Sequence, residues 1–136
     1  MFLTFLTFLP LIGAMLLMLI PRDEEGAIKQ TALAFAVADF ILSILLWTSF
    51  DSTTHEMQFE YSVPWISSWG VSYHIGLDGI SLLLYVMTTF LTMISIIASW
   101  GVTKNIREYM MAFLALSTGM LGAFISLDVF LFYFFW

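Results

Sequence analysis

Four stretches of 19 to 25 residues in this chain carry almost no charge. The only charged residue inside any of them is Asp39. The hydrocarbon core of a bilayer is about 30 Å thick, so an α-helix needs about 20 apolar residues to cross it. The sequence therefore predicts an all-α polytopic membrane protein with four transmembrane helices and the start of a fifth. The four expected helices cover residues 2–20, 31–50, 79–103 and 109–127. Residues 128–136 form the expected start of the fifth helix.

The composition excludes several classes of protein. Hydrophobic residues make up 61% of the chain and charged residues 10%, against about 45–50% and about 25% in soluble domains. A water-soluble enzyme is therefore excluded, and four Lys and Arg residues are too few for nucleic-acid binding. With no cysteine, the chain holds no disulfide, Cys-based zinc site or thiolate-bound iron–sulfur cluster. We expect a single membrane domain over residues 1–136, without catalytic, cofactor-binding or metal-binding residues.

The basic residues predict the orientation of the helices. All four Lys and Arg residues lie in the two short loops 21–30 and 104–108, and the long loop 51–78 has none. Positive charge is enriched on the cytoplasmic side of membrane proteins. We therefore expect the short loops in the cytoplasm, and the N-terminus and loop 51–78 outside.

The long loop between the second and third helices has a pattern of its own. Apolar and polar residues alternate from Met57 to Val63 and again from Val71 to Ile75. This period of two residues is typical of half-buried strands, and Ser67–Gly70 between them can form a turn. Residues 51–77 are therefore predicted to form a β-hairpin on the outer membrane surface, where Trp65 and Trp69 suit the interface.

Polar residues recur every three or four positions along the third helix, which places them on one face. Such a face can pack against a neighbouring helix, or it can line a hydrated channel. Packing is favoured, because Ser and Thr hydroxyls often bond their own backbone. The stripe begins at Asp78 and ends at Thr103, and contains Ser81, Tyr85, Thr88, Thr92, Ser95 and Ser99.

Small residues form similar stripes on two other helices, where they allow close approach between helix backbones. These helices are therefore expected to pack tightly against others. The stripe on the fourth helix is Ala112, Ala115, Gly119, Gly122 and Ser126, and a lesser one on the second is Ala32, Ala36 and Ser43.

Three aspartates are candidates for a proton path or for supporting such a path. An ionised Asp39 in mid-helix costs about 2.5–3.5 kcal/mol on insertion scales, so such a residue is by default a candidate proton relay. The alternative is that Asp39 is kept neutral at an interface between helices. The sequence does not decide between a proton relay and a neutral buried acid. Asp78 and Asp128 precede helices, where N-capping is favoured over proton transfer.

Two segments resemble a known family. They are His74-Ile75-Gly76-Leu77-Asp78-Gly79-Ile80-Ser81-Leu82-Leu83 and Leu127-Asp128-Val129-Phe130-Leu131-Phe132-Tyr133-Phe134-Phe135-Trp136. Both resemble the antiporter-like chain M of bacterial NADH:quinone oxidoreductase, respiratory complex I. The Asp-Gly-x-Ser signature is shared with the sister chains L and N and with multisubunit cation/proton antiporters, whereas the Phe-Phe-Trp ending favours chain M.

This resemblance implies a membrane subunit of a redox-driven proton-pumping translocase in the bacterial inner (plasma) membrane. Its implied partners are the lipid bilayer and other membrane subunits similar to chains L and N. The resemblance places NADH, FMN, iron–sulfur clusters and quinone in other subunits. In the family, a glutamate central to proton translocation follows the aromatic run, and the key lysines lie in later helices. The chain is therefore expected to be an N-terminal fragment that is inactive alone.

Two other functions are compatible with the sequence. One is a subunit of a multisubunit sodium/proton antiporter, which shares the Asp-Gly-x-Ser signature. The other is a small structural membrane protein that is complete at 136 residues.

Overall fold

The structure, a computed structural model, describes residues 1–136. It contains five α-helices and one hairpin of two antiparallel strands, which lies between the second and third helices. Short 3-10 turns follow the first strand and the third helix, at Ser67–Trp69 and Ser99–Gly101. The elements are α1 (Phe2–Leu17), α2 (Glu25–Thr48), β1 (Gln58–Ile66), β2 (Val71–Leu77), α3 (Gly79–Ala98), α4 (Ile106–Ile125) and α5 (Val129–Phe135).

The predicted count of four spanning helices and a fifth is not exact. Only α2, α3 with its following turn, and α4 are both long and apolar enough to cross a membrane. Helix α1 has 16 residues, fewer than the expected 19, because its end tightens into a narrower turn. The amides of Met18, Leu19 and Ile20 each bond the carbonyl three residues back, and Pro21 cannot continue a helix at this point.

The bounds of the next three helices also differ from the predicted ones, and α4 covers Ile106–Ile125 rather than residues 109–127. Helix α2 begins at Glu25 rather than at residue 31, because the polar first turns of a helix can form outside the hydrocarbon. Helix α3 ends at Ala98 rather than at residue 103, since the chain passes through the 3-10 turn that ends at Gly101.

The hairpin joins the bundle mainly through β2, which contacts α3, α4 and α5. Tyr61 pairs with Ile75 and Val63 with Tyr73, and Gly70 takes the left-handed conformation at the turn (φ 66°). The free edge of β2 then pairs with the connection between α4 and α5, where the Leu127 amide bonds the His74 carbonyl at 2.9 Å. The predicted hairpin between the second and third helices is thus present, and it is anchored to α5 as well.

Helices α1 to α4 pack into a bundle with two separate apolar clusters. The hairpin-side cluster lies near the outer ends of the predicted topology and includes Leu6, Leu46, Val86 and Leu121. The loop-side cluster lies near the two short loops and is built from Leu17, Ala14, Ile28, Ala32, Ala36, Ile96, Ile106, Met110 and Leu114.

Candidate functional site

A layer of buried polar side chains separates the two apolar clusters. We call this layer the mid-bundle polar belt. It contains every buried polar or charged residue of the chain except Lys29, and each of the four bundle helices contributes. Its members are Thr7, Asp39, Ser43, Thr89, Thr92, Ser117 and Thr118.

The position of the belt follows from the order of residues along each helix. On α3, for example, Val86 belongs to the hairpin-side cluster and Ile96 to the loop-side cluster, and Thr89 and Thr92 lie between them. Helix α4 repeats the order with Leu114, the belt residues and Leu121. The belt therefore lies near the middle of the bundle, at the depth where hydrocarbon leaves polar groups no water to bond.

The hydroxyl groups of the belt find partners within the bundle. Ser43 Oγ lies 2.8 Å from Thr89 Oγ1, which joins α2 to α3. Thr92 donates to Ser117 Oγ at 3.3 Å, which joins α3 to α4. Thr7 Oγ1 lies 3.2 Å from the Tyr85 hydroxyl oxygen, which joins α1 to α3. Helix α3 is therefore the hub of the belt, bonded through its side chains to all three other helices.

The hydroxyls also bond the backbone of their own helices. Thr7 donates to the Leu3 carbonyl at 2.9 Å, and Thr118 donates to the Leu114 carbonyl at 3.3 Å. Ser and Thr residues commonly satisfy themselves in this way within apolar surroundings.

Asp39 is the exception within the belt. The residue is 2% exposed, and its Oδ1 atom has no hydrogen-bond partner. A buried polar atom without a partner is rare in folded proteins and calls for an explanation in terms of function, bound water or strain. Among the three aspartates suggested by the sequence, Asp39 alone lies inside the bundle.

Asp78 and Asp128 lie at the hairpin end of the molecule and cap helices. Asp78 accepts the Ser81 amide at 2.7 Å through Oδ1, and this bond is the main reason that the pKa of Asp78 lies below its ordinary value. Asp128 Oδ1 accepts the Phe130 amide at 2.9 Å. Desolvation opposes ionisation of Asp128, but bonds from the Ser72, Leu131 and Phe130 amides outweigh it and lower its pKa.

The polar stripe predicted on α3 is divided by the structure. Tyr85 and Thr92 are buried, whereas Ser81, Thr88, Ser95 and Ser99 are only half-buried. Thr88 bonds the Leu84 carbonyl of its own helix, and Ser99 contacts the Tyr109 hydroxyl at 2.8 Å near the loop end. The stripe therefore does not lie wholly inside the bundle.

Sequence reasoning missed four members of the belt. Thr89 follows Tyr85 by four positions and precedes Thr92 by three, so a stripe drawn through Thr89 instead of Thr88 has equally good helical spacing. Thr7 and the adjacent pair Ser117 and Thr118 lie in apolar runs and belong to no polar stripe that the sequence analysis identified.

The small residues of α4 also fall into two groups. Gly122 is buried beneath Phe135 of α5, and a methyl group at Gly119 would approach the Phe135 carbonyl oxygen to 3.2 Å. Ala112 and Ala115 are exposed. No group of three or more His, Asp or Glu side chains is arranged to hold a metal ion.

The apolar helices, the hairpin and the buried polar belt define the chain as a multi-pass helical membrane protein. No family model matches its sequence. It is 41% identical to NADH-quinone oxidoreductase subunit M of Rhodobacter capsulatus, over 98% of this chain and 26% of the relative. It is 40% identical to NADH-ubiquinone oxidoreductase chain 4 of Mycosarcoma maydis, over 98% of this chain and 28% of the relative. The chain is homologous to subunit M, known as chain 4 in other relatives, and spans about a quarter of their length.

A solved structure shows the same fold. A chain of respiratory complex I from Thermus thermophilus with bound NADH matches with a TM-score of 0.74 and 24% identity, covering 99% of this chain and 26% of that one. The identity to subunit M and chain 4 confirms the expected resemblance to chain M, and the solved structure shows that the chain has the fold of a complex I membrane subunit.

Proposed function

We propose that this chain forms part of a membrane subunit of proton-translocating NADH:quinone oxidoreductase and contributes to redox-driven proton pumping. Homology to subunit M over nearly the whole chain carries this proposal. The fold agrees, since α2, α3 and α4 are apolar enough to cross a membrane. NADH, FMN, iron–sulfur clusters and quinone are assigned to other subunits, which the homology to a complex I subunit supports.

The proposed place of the chain is the bacterial inner membrane, beside membrane subunits similar to chains L and N. Helix α1 is proposed as a fourth span, since it packs lengthwise against α2 and α4, and Ile20 extends its apolar length beyond Leu17. The N-terminus and the hairpin are assigned to the outside, and the loops 21–30 and 104–108 to the cytoplasm. Residues 1–136 are proposed as a single membrane unit that transports no ions by itself.

Deletion of the gene that encodes this sequence tests the proposal. Inverted membrane vesicles from the deletion strain should lose NADH-driven proton uptake that depends on quinone, and the intact gene supplied in trans should restore it. Oxidation of NADH by a soluble artificial acceptor should change less, since that reaction needs no membrane pump.

Two other outcomes would contradict the proposal. Unchanged NADH-driven proton uptake together with lost sodium/proton exchange would identify an antiporter subunit instead. Unchanged uptake and exchange, with altered membrane protein composition, would identify a structural membrane protein.

A further inference from the structure

Asp39 is the only carboxyl group in the mid-bundle polar belt, and no basic side chain lies beside it. Helices α1, α3 and α4 all pack against α2. Helix α1 carries no titratable side chain, and Tyr85 of α3, whose hydroxyl reaches Thr7 of the belt, is the titratable group close enough to Asp39 to interact with it electrostatically. The ionisable groups of α4 are in its first turn, at Arg107, Glu108 and Tyr109.

On α2 itself, the remaining charges lie near the beginning of the helix. Lys29 precedes Asp39 by ten positions, which is about 15 Å along a helix axis, and Glu25 is farther away. No nearby cation therefore pairs with an ionised Asp39. The carboxyl group is stable in this position only as the neutral acid, or transiently as an anion during proton transfer.

We propose that Asp39 is a proton-binding site that releases and regains its proton during turnover of the intact complex, through the hydroxyls of the mid-bundle polar belt. This inference rests on the proposed function, because it requires that the complex moves protons. It adds a site within α1–α4, where the unpartnered Oδ1 atom of Asp39 lies in the same layer as buried hydroxyls contributed by every helix of the bundle.

The Ser43–Thr89 pair supplies a means of passing the proton on. These two hydroxyls share three short contacts: with each other at 2.8 Å, from Ser43 to the Phe40 carbonyl at 2.7 Å, and from Thr89 to the Val86 carbonyl at 2.8 Å. Ser43 and Thr89 have one hydroxyl proton each, so only two of these three contacts can be hydrogen bonds at any moment. Rotation of a hydroxyl group therefore changes which acceptor receives its proton, and the helices do not have to separate.

Ser43 lies one turn after Asp39 on the same face of α2, the spacing at which helical side chains are neighbours. In the proposed step the carboxyl O–H bond of Asp39 breaks, and the proton passes through one water to the Ser43 oxygen, because the hydrogen bonds of Ser43 run to Phe40 and Thr89. Ser43 gives up its own proton to Thr89 as it accepts the new one, and Thr89 releases its original hydroxyl proton to a second water. A proton from a water on the other side of Asp39 then re-forms its carboxyl O–H bond, so the protein returns to its starting state and one proton has moved.

The test uses the assembled complex in inverted membrane vesicles, with aspartate labelled by carbon-13 at its side-chain carboxyl. Infrared difference spectra between resting and NADH-driven states are recorded for the wild type and Asp39→Asn. We expect a turnover-dependent carbonyl band of a protonated carboxylic acid in the wild type, absent in Asp39→Asn. The asparagine variant should also take up fewer protons per NADH oxidised, while its NADH oxidation with an artificial acceptor stays unchanged.

Adjacent residues on α3 provide a matched pair of variants. Thr89→Val removes the hydroxyl that contacts Ser43 and keeps the side-chain shape, so it should slow proton uptake. Thr88→Val makes the same change outside the belt and should leave uptake at the wild-type rate. Assembly of each variant is checked by the amount of complex in the membrane.

Several results would overturn the inference. An acid band that does not change during turnover would make Asp39 a static neutral side chain, as would normal proton uptake by Asp39→Asn. A band that responds to sodium at constant pH would make the belt a cation site instead. Because the wild-type vesicles must first show NADH-driven proton uptake, failure of the proposed function is recognised separately from failure of this inference.

Discussion

At the scale of single residues, the three aspartates perform two different physical tasks. Asp78 and Asp128 accept backbone amides at the first turns of α3 and α5, where the helix itself has no acceptor to offer. Asp39 lies in mid-helix, where all backbone amides are already bonded along the helix, so its carboxyl group has no capping role. The side chains are identical, and only their positions in the helices separate capping from a candidate proton site.

Replacement of Asp78 separates capping from proton transfer. Asp78→Ala should lower the free energy of unfolding by about 1 kcal/mol, whereas Asp78→Asn should be nearly neutral because asparagine caps equally well. Thermal unfolding of the full-length protein in detergent, followed by circular dichroism, measures the difference. Loss of proton uptake in a stable Asp78→Asn variant would instead assign a proton-transfer role to this residue.

The same residue predicts a pH dependence. The pKa of Asp78 is lowered from its ordinary value of 3.8 in the folded protein by the Ser81 amide. Its stabilising effect is therefore complete above that ordinary value and is lost as the pH falls through the lower folded pKa. The wild type should lose this part of its stability in acid, whereas Asp78→Asn should not, and an identical acid dependence in both proteins would contradict the assignment.

Asp128 links the hairpin to α5 as well as capping that helix. Its Oδ1 atom accepts the Phe130 amide, and its Oδ2 atom accepts the Ser72 amide at 3.4 Å. Asparagine keeps one acceptor oxygen and so can preserve the cap while losing the bond to Ser72. Asp128→Asn should therefore speed amide hydrogen exchange in the peptide that contains Ser72, and mass spectrometry measures this rate. Asp78→Asn is the control and should leave the exchange rate of that peptide unchanged. Equal exchange rates in the two variants would rule out the link.

At the scale of elements, small residues decide how closely the helices approach. A methyl group built on Gly13 of α1 would lie 2.6 Å from the Phe35 ring of α2, so only glycine permits this contact. Gly122 has the same role between α4 and α5, where the Phe135 ring covers it. The contact between α5 and α4 therefore requires glycine at position 122, because the Phe135 ring lies directly on it.

Gly122→Ala should destabilise the protein, although alanine favours a helix more than glycine does. The added methyl group overlaps the Phe135 ring, and overpacking of this kind costs about 1–3 kcal/mol. Gly26→Ala is the matched control, since nothing lies within 4 Å of the added methyl group, and it should be neutral or slightly stabilising. Phe135→Ala combined with Gly122→Ala should recover part of the loss in a thermal unfolding assay. No loss in the single variant would show that α5 does not pack there.

At the scale of the whole molecule, the polar belt and the hairpin mark two distinct depths. The hairpin and the caps of α3 and α5 gather at one end, whereas Lys29, Arg22, Arg107 and Lys104 lie at or near the other. The belt lies between them, flanked by the two apolar clusters. This distribution of charge is the physical basis for the proposed orientation.

The orientation is tested by single cysteines, because the natural chain contains none. Ser67→Cys on the hairpin should react with a membrane-impermeant thiol reagent added to intact spheroplasts. Gly26→Cys, near the start of α2, should react only after the membrane is opened. The reverse pattern of labelling would overturn the proposed topology.

The sequence by itself determined the features that depend on residues near one another along the chain. The apolar runs predicted where the helices lie, alternation predicted the hairpin, and the aspartate before Gly79 predicted the capped start of α3. Boundaries were less certain, because helix ends respond to single turns such as the one after Leu17.

Only the tertiary structure decided which polar groups meet. Each step along a helix turns a side chain by about 100°, so the choice between Thr88 and Thr89 depends on how α3 is rotated in the bundle. The relative depth of the four helices places Thr7, Asp39, Ser43 and Ser117 in one layer, and no single helix encodes that alignment. The belt therefore follows from packing between elements distant in sequence, which hydrophobic periodicity within one element leaves undetermined.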